Sequence, residues 1–320
     1  MAQQNLKIVF FGTADFAVPC LQAVIDAGHE VLAVVTQPDK PQGRGQRLAP
    51  SPVKLAALRL DLPILQPKRV RREGFIDQIR ELAPDVLALA AFGQIVPQAL
   101  LDIPPLGPIN VHGSLLPKYR GAAPIQRAIM AGETETGITT MWMDATLDTG
   151  DILLQATLPI EPDDTSGTLF PKLSQIGADL LVKTLERLAQ GTLARRPQDS
   201  TQATQAPALK HEDGIVRWSE TAAQIDCRIR GVSPKPGAFA AINGKRIKVW
   251  ASKPAPPEAE VLEPGTIVAY TKSPPGLRVA AGDGTSLILT EVQPDSGKKM
   301  AADSWARGMR LGASDRFEPI

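Results

Sequence analysis

The feature that most constrains the fold is a series of short, mainly apolar runs separated by helical segments. The run at residues 6–11 ends at Gly12, and residues 31–35 and 86–91 repeat the pattern. Such runs are typical of strands buried on both faces of a parallel sheet. Strands that alternate with helices predict an α/β sheet with right-handed crossovers. The sequence therefore predicts a Rossmann-like first domain with a mostly parallel sheet.

Local signals place the helices and the remaining strands of this domain. We expect Asp15 to cap the first helix and Gly28 to end it, and Ser51-Pro52 to open a helix through Leu60. Further strands are expected at residues 109–111 and 138–142, and a long helix at about residues 169–190 closes the domain. The segment after Gly12 lacks the pattern G-x-G-x-x-G, which argues against a dinucleotide-binding site.

A change from long helical segments to short β-like runs predicts a second domain. Residues 192–207 are polar without an apolar period and are interpreted as a linker. Beyond them, Asn243-Gly244 between two β-like runs is a strong hairpin signal, and similar short runs follow. We therefore predict a catalytic domain at residues 1–191, a linker at 192–207 and a small OB-like β-barrel domain at 208–320.

Composition excludes several classes of protein. The 320 residues carry 35 Lys+Arg and 34 Asp+Glu, a formal charge of +1, so the chain is not a general polycation. The only two cysteines, Cys20 and Cys227, favour a reducing compartment and give no cysteine-rich zinc site. No apolar run approaches the roughly 18 residues of a membrane span. These features predict a cytoplasmic protein without a membrane segment or metal, and we expect a monomer.

The three histidines differ in their settings. His29 follows the helix-ending glycine and is interpreted as a surface turn residue, and His211 lies among charged residues and is expected to be solvated. His112 ends an apolar run, where strand ends of an α/β sheet face the ligand crevice. A buried structural histidine is the alternative. Asn110 lies two residues upstream and therefore on the same face of the strand.

Two aspartates, Asp144 and Asp148, follow another predicted strand. An amide, an imidazole and a carboxylate in one crevice can perform acyl transfer without a covalent intermediate. Turn capping is the alternative for both aspartates, and one of them is expected to do only that.

The motif SLLPKYRGAAP at residues 114–124 lies between Asn110-Val111-His112-Gly113 and the run LDTG at 147–150. With FGQIVP at 92–97 and the loop at 37–54, these segments resemble the folate-dependent formyltransferases over nearly the whole chain. The basic loop and the segment GVSPKPGAF at 231–239 resemble the branch of that family that acts on initiator methionyl-tRNA.

The resemblance implies 10-formyltetrahydrofolate as the formyl donor and the α-amino group of initiator methionyl-tRNA as the acceptor. It assigns the catalytic roles to Asn110, His112 and Asp148. Folate contacts are implied for two segments, and their residues are Ser114, Leu115, Leu116, Pro117, Phe92, Gly93, Ile95 and Val96.

Basic residues in two places are candidate tRNA contacts. A glycine-hinged loop carries Lys40, Arg44 and Arg47, and an ordinary solvated loop is the alternative. In the second domain the candidates are Lys210 and, on one face of the predicted hairpin, Arg246 and Lys248.

Three positions depart from the family pattern. Lys235 stands where tryptophan is expected, Thr146 where glycine is expected, and Arg217 where an acidic residue is expected. Three alternative functions remain open: a formyltransferase for a small amine such as an amino sugar or glycinamide ribotide, a catalytically inactive tRNA-binding protein, and a folate hydrolase.

Overall fold

The computed structural model describes residues 5–42, 47–256, 262–313 and 315–318. Two compact units are present, and each is assembled from separate stretches of chain: Met1–Ala122, Thr136–Leu158 and Phe170–Ala206 in the first, and Ala123–Glu135, Pro159–Leu169 and Pro207–Ile320 in the second.

The strands are β1 Lys7–Gly12, β2 Glu30–Val35, β3 Lys40–Gln42, β4 Arg47–Ala49, β5 Ile64–Leu65, β6 Val86–Ala90, β7 Pro108–His112, β8 Glu135–Trp142, β9 Ile152–Pro159, β10 Ala238–Ile242, β11 Lys245–Ala255, β12 Ile267–Lys272, β13 Pro275–Ala280, β14 Ser286–Pro294 and β15 Met300–Ala301. The helices are α1 Ala17–Asp26, α2 Pro52–Arg59, α3 Glu73–Leu82, α4 Gln98–Leu101, α5 Pro124–Met130, α6 Ser166–Ala189, α7 Ala222–Val232 and α8 Ala302–Gly308.

The first unit is built around a sheet of order β5-β2-β1-β6-β7-β8-β9. Strands β5, β2, β1, β6 and β7 are parallel, and β8 is antiparallel to β7. All residues of β6 are buried, as its unbroken apolar sequence predicts. The expected Rossmann-like α/β domain with a mostly parallel sheet is confirmed.

The order of the strands defines where a ligand crevice lies. From β1 the chain moves outward to β2 and β5, then returns to the other side of β1 to form β6 and β7. Ligands of open α/β sheets bind beyond the carboxyl ends of the strands at such a switch point. Gly12 at the end of β1 pairs with Ala90 at the end of β6. The loops after β1, β6 and β7 therefore leave the same edge of the sheet.

Two helix predictions are confirmed and one is wrong. The Ser51 hydroxyl accepts from the Lys54 amide and caps α2, with Pro52 at the first helical position. Helix α6 covers the long apolar stretch, and its Ser174 hydroxyl donates to the Phe16 carbonyl. Asp15 does not cap α1: the N-cap is Phe16, without a capping side-chain bond, because the helix begins later than the cap signal suggests.

His29 is buried at 6% exposure, so its interpretation as a surface turn residue is wrong. Its Nδ1 accepts a hydrogen bond from the Leu6 amide, which ties the start of β2 to the residue before β1. Burial holds the pKa of His29 below its ordinary value. The ring is therefore a neutral structural element of the first unit.

The second unit contains an antiparallel sheet of order β10-β11-β14-β13-β12, with β15 beside β14. The predicted hairpin joins β10 to β11, and Asn243 and Gly244 both have positive φ, at 51° and 68°. This is the backbone that a two-residue hairpin turn requires. Inward residues such as Ile247 and Val249 pack into the core of this unit together with helix α7.

Residues 315–318 hydrogen-bond to segments at both edges of this sheet. The Phe317 amide donates to the Gly265 carbonyl just before β12, and the Glu318 amide donates to the Ala241 carbonyl in β10. The structure thus has an antiparallel-sheet domain, while the OB-like barrel and the boundaries at residues 191 and 207 remain predictions.

Candidate active site

Asn110 and His112 lie on β7, at the carboxyl edge of the parallel strands. They are two residues apart on one strand and therefore face the same side. Asn110 is half-buried, and His112 is only 6% exposed.

The contacts of His112 define the orientation of its ring. Nε2 lies 2.9 Å from the carbonyl oxygen of Tyr119. Because a carbonyl can only accept, Nε2 carries a proton. Nδ1 faces the Asp148 carboxylate, 3.6 Å from Oδ2. Nδ1 is therefore the ring nitrogen that points toward the carboxylate.

Asp148 is held by backbone geometry as well as by hydrogen bonding. Its φ is 54°, a left-handed conformation at a tight turn, and its side chain is 12% exposed. The amide of Gly121 donates to Oδ2 at 2.8 Å. A Cβ on Gly121 would lie 2.6 Å from the Ala206 carbonyl oxygen, so the close approach of this backbone requires glycine.

Asp144 has the turn-capping role. Its Oδ1 accepts from the amide and the hydroxyl of Thr146 and from the hydroxyl of Thr149. Of the two candidate aspartates, only Asp148 lies beside His112 within the described residues. Thr146, where glycine is expected, therefore contributes two bonds to this turn.

The loop after β7 is held by short side-chain hydrogen bonds. The Ser114 hydroxyl donates to the Lys118 carbonyl at 2.6 Å, and the Thr139 hydroxyl donates to the Ser114 carbonyl at 2.7 Å. Leu116 packs in a small apolar cluster. Leu115 and Pro117 are half-buried. Of the four predicted folate residues in this loop, these two offer side-chain surface to a ligand.

The loop after β6 presents a different face. Phe92 and Val96 belong to the hydrophobic core, whereas Ile95 is 80% exposed. The carbonyl oxygens of Phe92 and Gly93 accept from the Gln37 side chain at 2.9 and 3.0 Å. A Cβ on Gly93 would meet that same amide at 2.5 Å. The Gln37 side chain therefore stabilises the loop after β6 through these two hydrogen bonds, a role that was not predicted from the sequence.

The candidate tRNA residues lie in both units. In the first, Lys40 and Arg47 are exposed on the two-stranded ribbon β3–β4, and Lys40 donates to the Gln37 side chain. Arg44 lies outside the described residues. The described stem of the basic loop is thus a β-ribbon, which the sequence analysis did not predict.

In the second unit, Lys210 and Arg246 are exposed and Lys248 is half-buried. The Arg246 guanidinium lies 3.6 Å from the centre of the Phe239 ring, and His211, also exposed, stacks on that ring at 4.6 Å. The predicted alternation of a basic face and a core face on this hairpin is confirmed. Lys235 and Arg217 are both exposed.

Gln198 and Arg120 are two further residues at the site that the sequence analysis missed. Gln198 lies in the stretch interpreted as a linker, where no apolar period indicates a structural role. Arg120 lies inside the recognised motif but was assigned no role. Among the residues described, no group of three or more His, Cys, Asp or Glu side chains is placed to hold a metal ion.

A doubly wound sheet with Asn110 and His112 at a strand end, and with Asp148 beside His112, is an arrangement suited to group-transfer chemistry. The family model described as formyl transferase matches residues 6–185, and the model of the formyl transferase C-terminal domain matches residues 208–310. The chain belongs to the formyl transferase family.

Curated relatives narrow the family further. The methionyl-tRNA formyltransferase of Geobacter sulfurreducens is 47% identical over 98% of this chain and 97% of its own length. That of Koribacter versatilis is 49% identical over 97% of this chain and 98% of its own length. At this identity over nearly the full length, the chain falls in the methionyl-tRNA formyltransferase branch, as the sequence motifs predict.

Solved structures support the fold. An N-formyltransferase from Helicobacter canadensis, solved with folinic acid and dTDP-3-aminofucose, matches with a TM-score of 0.66 at 20% identity, covering 89% of this chain and 99% of that one. HypX from Aquifex aeolicus, in complex with tetrahydrofolic acid, matches with a TM-score of 0.62 at 17% identity. The match covers 97% of this chain but only 48% of HypX. None of the described helices is both long and apolar enough to cross a bilayer.

Proposed function

We propose that the chain transfers the formyl group of 10-formyltetrahydrofolate to the α-amino group of initiator methionyl-tRNA. The proposal is supported by the approach of His112 to Asp148, with Asn110 two residues before His112 on β7, in a chain 47% identical to a curated methionyl-tRNA formyltransferase. We further propose that it acts in the cytoplasm as a monomer.

The proposed reaction is a direct acyl transfer. The neutral amine nitrogen bonds to the formyl carbon, the carbonyl electrons move to oxygen, and the adduct collapses by breaking the bond to N10 of the folate. The proton that the amine loses is delivered to N10. Formyl and proton change places, and no other reactant is consumed.

The roles of the three side chains follow from their donors and acceptors. The Asn110 amide donates a hydrogen bond to the developing oxyanion, which typically lowers the barrier by about 3–4 kcal/mol. Asp148 faces Nδ1 of His112, so a proton taken from the amine can rest between the two groups. The Nε2 proton of His112 is hydrogen-bonded to the Tyr119 carbonyl. In this scheme Nδ1 is the nitrogen that exchanges protons.

The folate site is proposed at the loops after β6 and β7. Ile95, Leu115 and Pro117 offer apolar surface to the ring system, and we include Gly93, beside Ile95 in the same loop, among the proposed folate contacts. The remaining proposed folate residues support these loops from within: Phe92, Val96, Ser114 and Leu116.

For the tRNA, we propose contacts by Lys40, Arg44 and Arg47 in the first unit and by Lys210, Arg246 and Lys248 in the second. Exposed cations that neutralise phosphates make binding salt-dependent, with each contact adding about 0.7–0.9 to the slope of log K against log salt. The test is formylation of initiator and elongator methionyl-tRNA from 10-formyltetrahydrofolate at several salt concentrations.

We expect formylation of the initiator and little of the elongator. A small amine acceptor is the second candidate, because a fold match is an N-formyltransferase solved with dTDP-3-aminofucose. Glycinamide ribotide and a dTDP-amino sugar are therefore included as acceptors. Transfer to either of them with none to tRNA would overturn the proposal.

A further inference from the structure

Gln198 reaches the turn that carries Asp148. Its amide nitrogen donates to the carbonyl oxygens of Asp148 and Gly150, at 2.9 and 2.7 Å. One side chain thus binds the backbone at the catalytic aspartate and again two residues later, so a shift of this turn requires breaking both bonds.

The other end of the Gln198 amide is fixed by Arg120. The amide oxygen accepts from Nε at 3.1 Å and from Nη2 at 2.8 Å. Arg120 is only 7% exposed. Because a guanidinium can only donate, the oxygen of Gln198 must face it and the nitrogen must face the two carbonyls. The orientation of the amide is therefore unambiguous.

Arg120 lies between the two backbone groups that orient the catalytic pair. The preceding residue, Tyr119, accepts the Nε2 proton of His112, and the following residue, Gly121, donates to Asp148 Oδ2. The Arg120–Gln198 bridge consequently links the loop that orients His112 to the turn that carries Asp148.

The segment that carries Gln198 is itself anchored to this loop. The amide of Arg120 donates to the Thr204 carbonyl at 2.9 Å, and the amide of Ala206 donates to the Arg120 carbonyl at 2.6 Å. Residues 198–206, which we call the strap, are therefore hydrogen-bonded to the loop after β7. This attachment fixes the backbone from which the Gln198 side chain reaches the turn.

We propose that Gln198 is a positioning residue that sets the place of the Asp148 carboxylate relative to His112. The proposal rests on the proposed function for its kinetic readout. Gln198 contacts the turn through backbone carbonyls, so we expect the loss of these two bonds to change the rate through the position of Asp148.

Gln198→Glu separates the two ends of the bridge. One carboxylate oxygen of the introduced glutamate still accepts from Arg120 and forms an ion pair with it, so the buried guanidinium keeps its partner. The other oxygen replaces the amide nitrogen and meets two carbonyl oxygens without a proton to donate. Gln205→Glu is the matched control, because Gln205 lies exposed in the same strap and the change of charge is identical.

We expect Gln198→Glu to lower kcat by about 10–100-fold, since a misplacement of about 1 Å can cost roughly 100-fold. The Kd of 10-formyltetrahydrofolate and the KM of the tRNA should stay within about twofold of wild type, and Gln205→Glu should retain full activity. In an Asp148→Asn background, Gln198→Glu should cause no further loss. The inference is overturned if Gln198→Glu has the kcat of the wild type. It is also overturned if Gln198→Glu lowers kcat as much in the Asp148→Asn background as it does alone.

Hydrogen exchange of the Gly121 amide gives a readout that does not need turnover. This amide donates to Asp148 Oδ2, so its exchange should accelerate in Gln198→Glu and stay at the wild-type rate in Gln205→Glu. Should wild type fail to formylate any tRNA, the proposed function fails while the exchange still tests the bridge. Unchanged exchange overturns the inference. Gln198→Met, which removes both ends of the bridge at similar volume, provides the same measurements if the glutamate variant does not fold.

Discussion

At the scale of single residues, the orientation of the His112 ring is set by its contacts with Tyr119 and Asp148. Nε2 donates to the Tyr119 carbonyl, and Nδ1 faces the Asp148 carboxylate. A ring without a proton on Nε2 would lose the hydrogen bond to this carbonyl. The backbone of the loop after β7 thus sets which ring nitrogen faces the carboxylate.

His112→Ala is expected to lower kcat by about 10²–10⁴-fold, the usual contribution of a positioned acid–base group. Binding of the tRNA, measured by filter retention, should change little. His211→Ala is the control, because His211 is exposed and stacks on Phe239 in the second unit. Near-normal turnover of His112→Ala would remove the imidazole from the mechanism.

His29 gives a prediction on pH. Its pKa is lowered in the folded chain by burial, so below the ordinary pKa of about 6.5 the unfolded chain binds more protons. Its contribution to stability is present above that pH and is lost as the pH falls through the folded pKa. His29→Gln, which retains an acceptor for the Leu6 amide, should lose less unfolding free energy than wild type between pH 7.5 and 5 in urea titrations. Equal losses would contradict this.

Some of these residues could be predicted from the sequence and others could not. Asn110 and His112 were predictable because a strand end and a spacing of two place them on one face of a crevice-lining strand. Gln198 was not, because it bonds to backbone carbonyls from a polar stretch whose composition resembles a linker. His29 was misjudged since a glycine before it signals the helix end but gives no information on burial.

At the scale of elements, helices α5 and α7 approach each other closely within the second unit. A Cβ on Gly231 would lie 2.4 Å from Met130 Cγ and 2.9 Å from the Gln126 carbonyl oxygen. The backbone atom cannot move aside without shifting α5. The absence of a side chain at Gly231 therefore sets the separation of the two helices.

Gly231→Ala should destabilise the chain, because overpacking costs about 1–3 kcal/mol and outweighs the gain in helix propensity of at most about 1 kcal/mol. Gly74→Ala in α3 is the matched control, since nothing lies within 4 Å of a Cβ there. That variant should be neutral or slightly stabilised in urea unfolding. A Gly231→Ala protein as stable as Gly74→Ala would show that the helices can separate freely.

Element prediction succeeded where one local signal sufficed. The Asn243-Gly244 turn fixed the hairpin, and Ser51-Pro52 fixed the start of α2. The ribbon β3–β4 was missed because its strands are only three residues long and β3 contains proline, so alternation cannot be read from them. The packing partner of α5 could not be predicted either, since nothing in its seven residues indicates which distant helix it packs against.

At the scale of the whole molecule, Arg127 and Asp213 join parts of the second unit that are far apart in sequence. Nη1 and Nη2 of Arg127 bond the two carboxylate oxygens at 2.8 and 2.9 Å. Burial opposes ionisation of Asp213, but the Arg127 hydrogen bond, the Lys210 amide and the charges of Arg127 and Arg228 outweigh it and lower its pKa. The ion pair thus closes a long loop of chain.

Asp213→Asn should cost about 1.5–3 kcal/mol of unfolding free energy at pH 7, the usual worth of hydrogen bonds to a charged group. Because the folded pKa is lowered, the wild-type advantage is complete above about pH 4 and narrows as the pH falls further. Urea unfolding at pH 7 and pH 3.5 measures both. Asp77→Asn, which breaks the exposed pair with Arg80, serves as the control and should change stability by less than about 1 kcal/mol.

The interleaving of the two units limits how evolution or an engineer can recombine such chains. Residues 123–135 and 159–169 belong to the second unit although they are encoded among segments of the first. A crossover at residue 207 between two relatives would pair a C-terminal part from one parent with a helix α5 from the other. Functional chimeras should therefore favour exchanges that carry all three segments together, and a library of single-crossover hybrids would be depleted at this joint despite its linker-like composition.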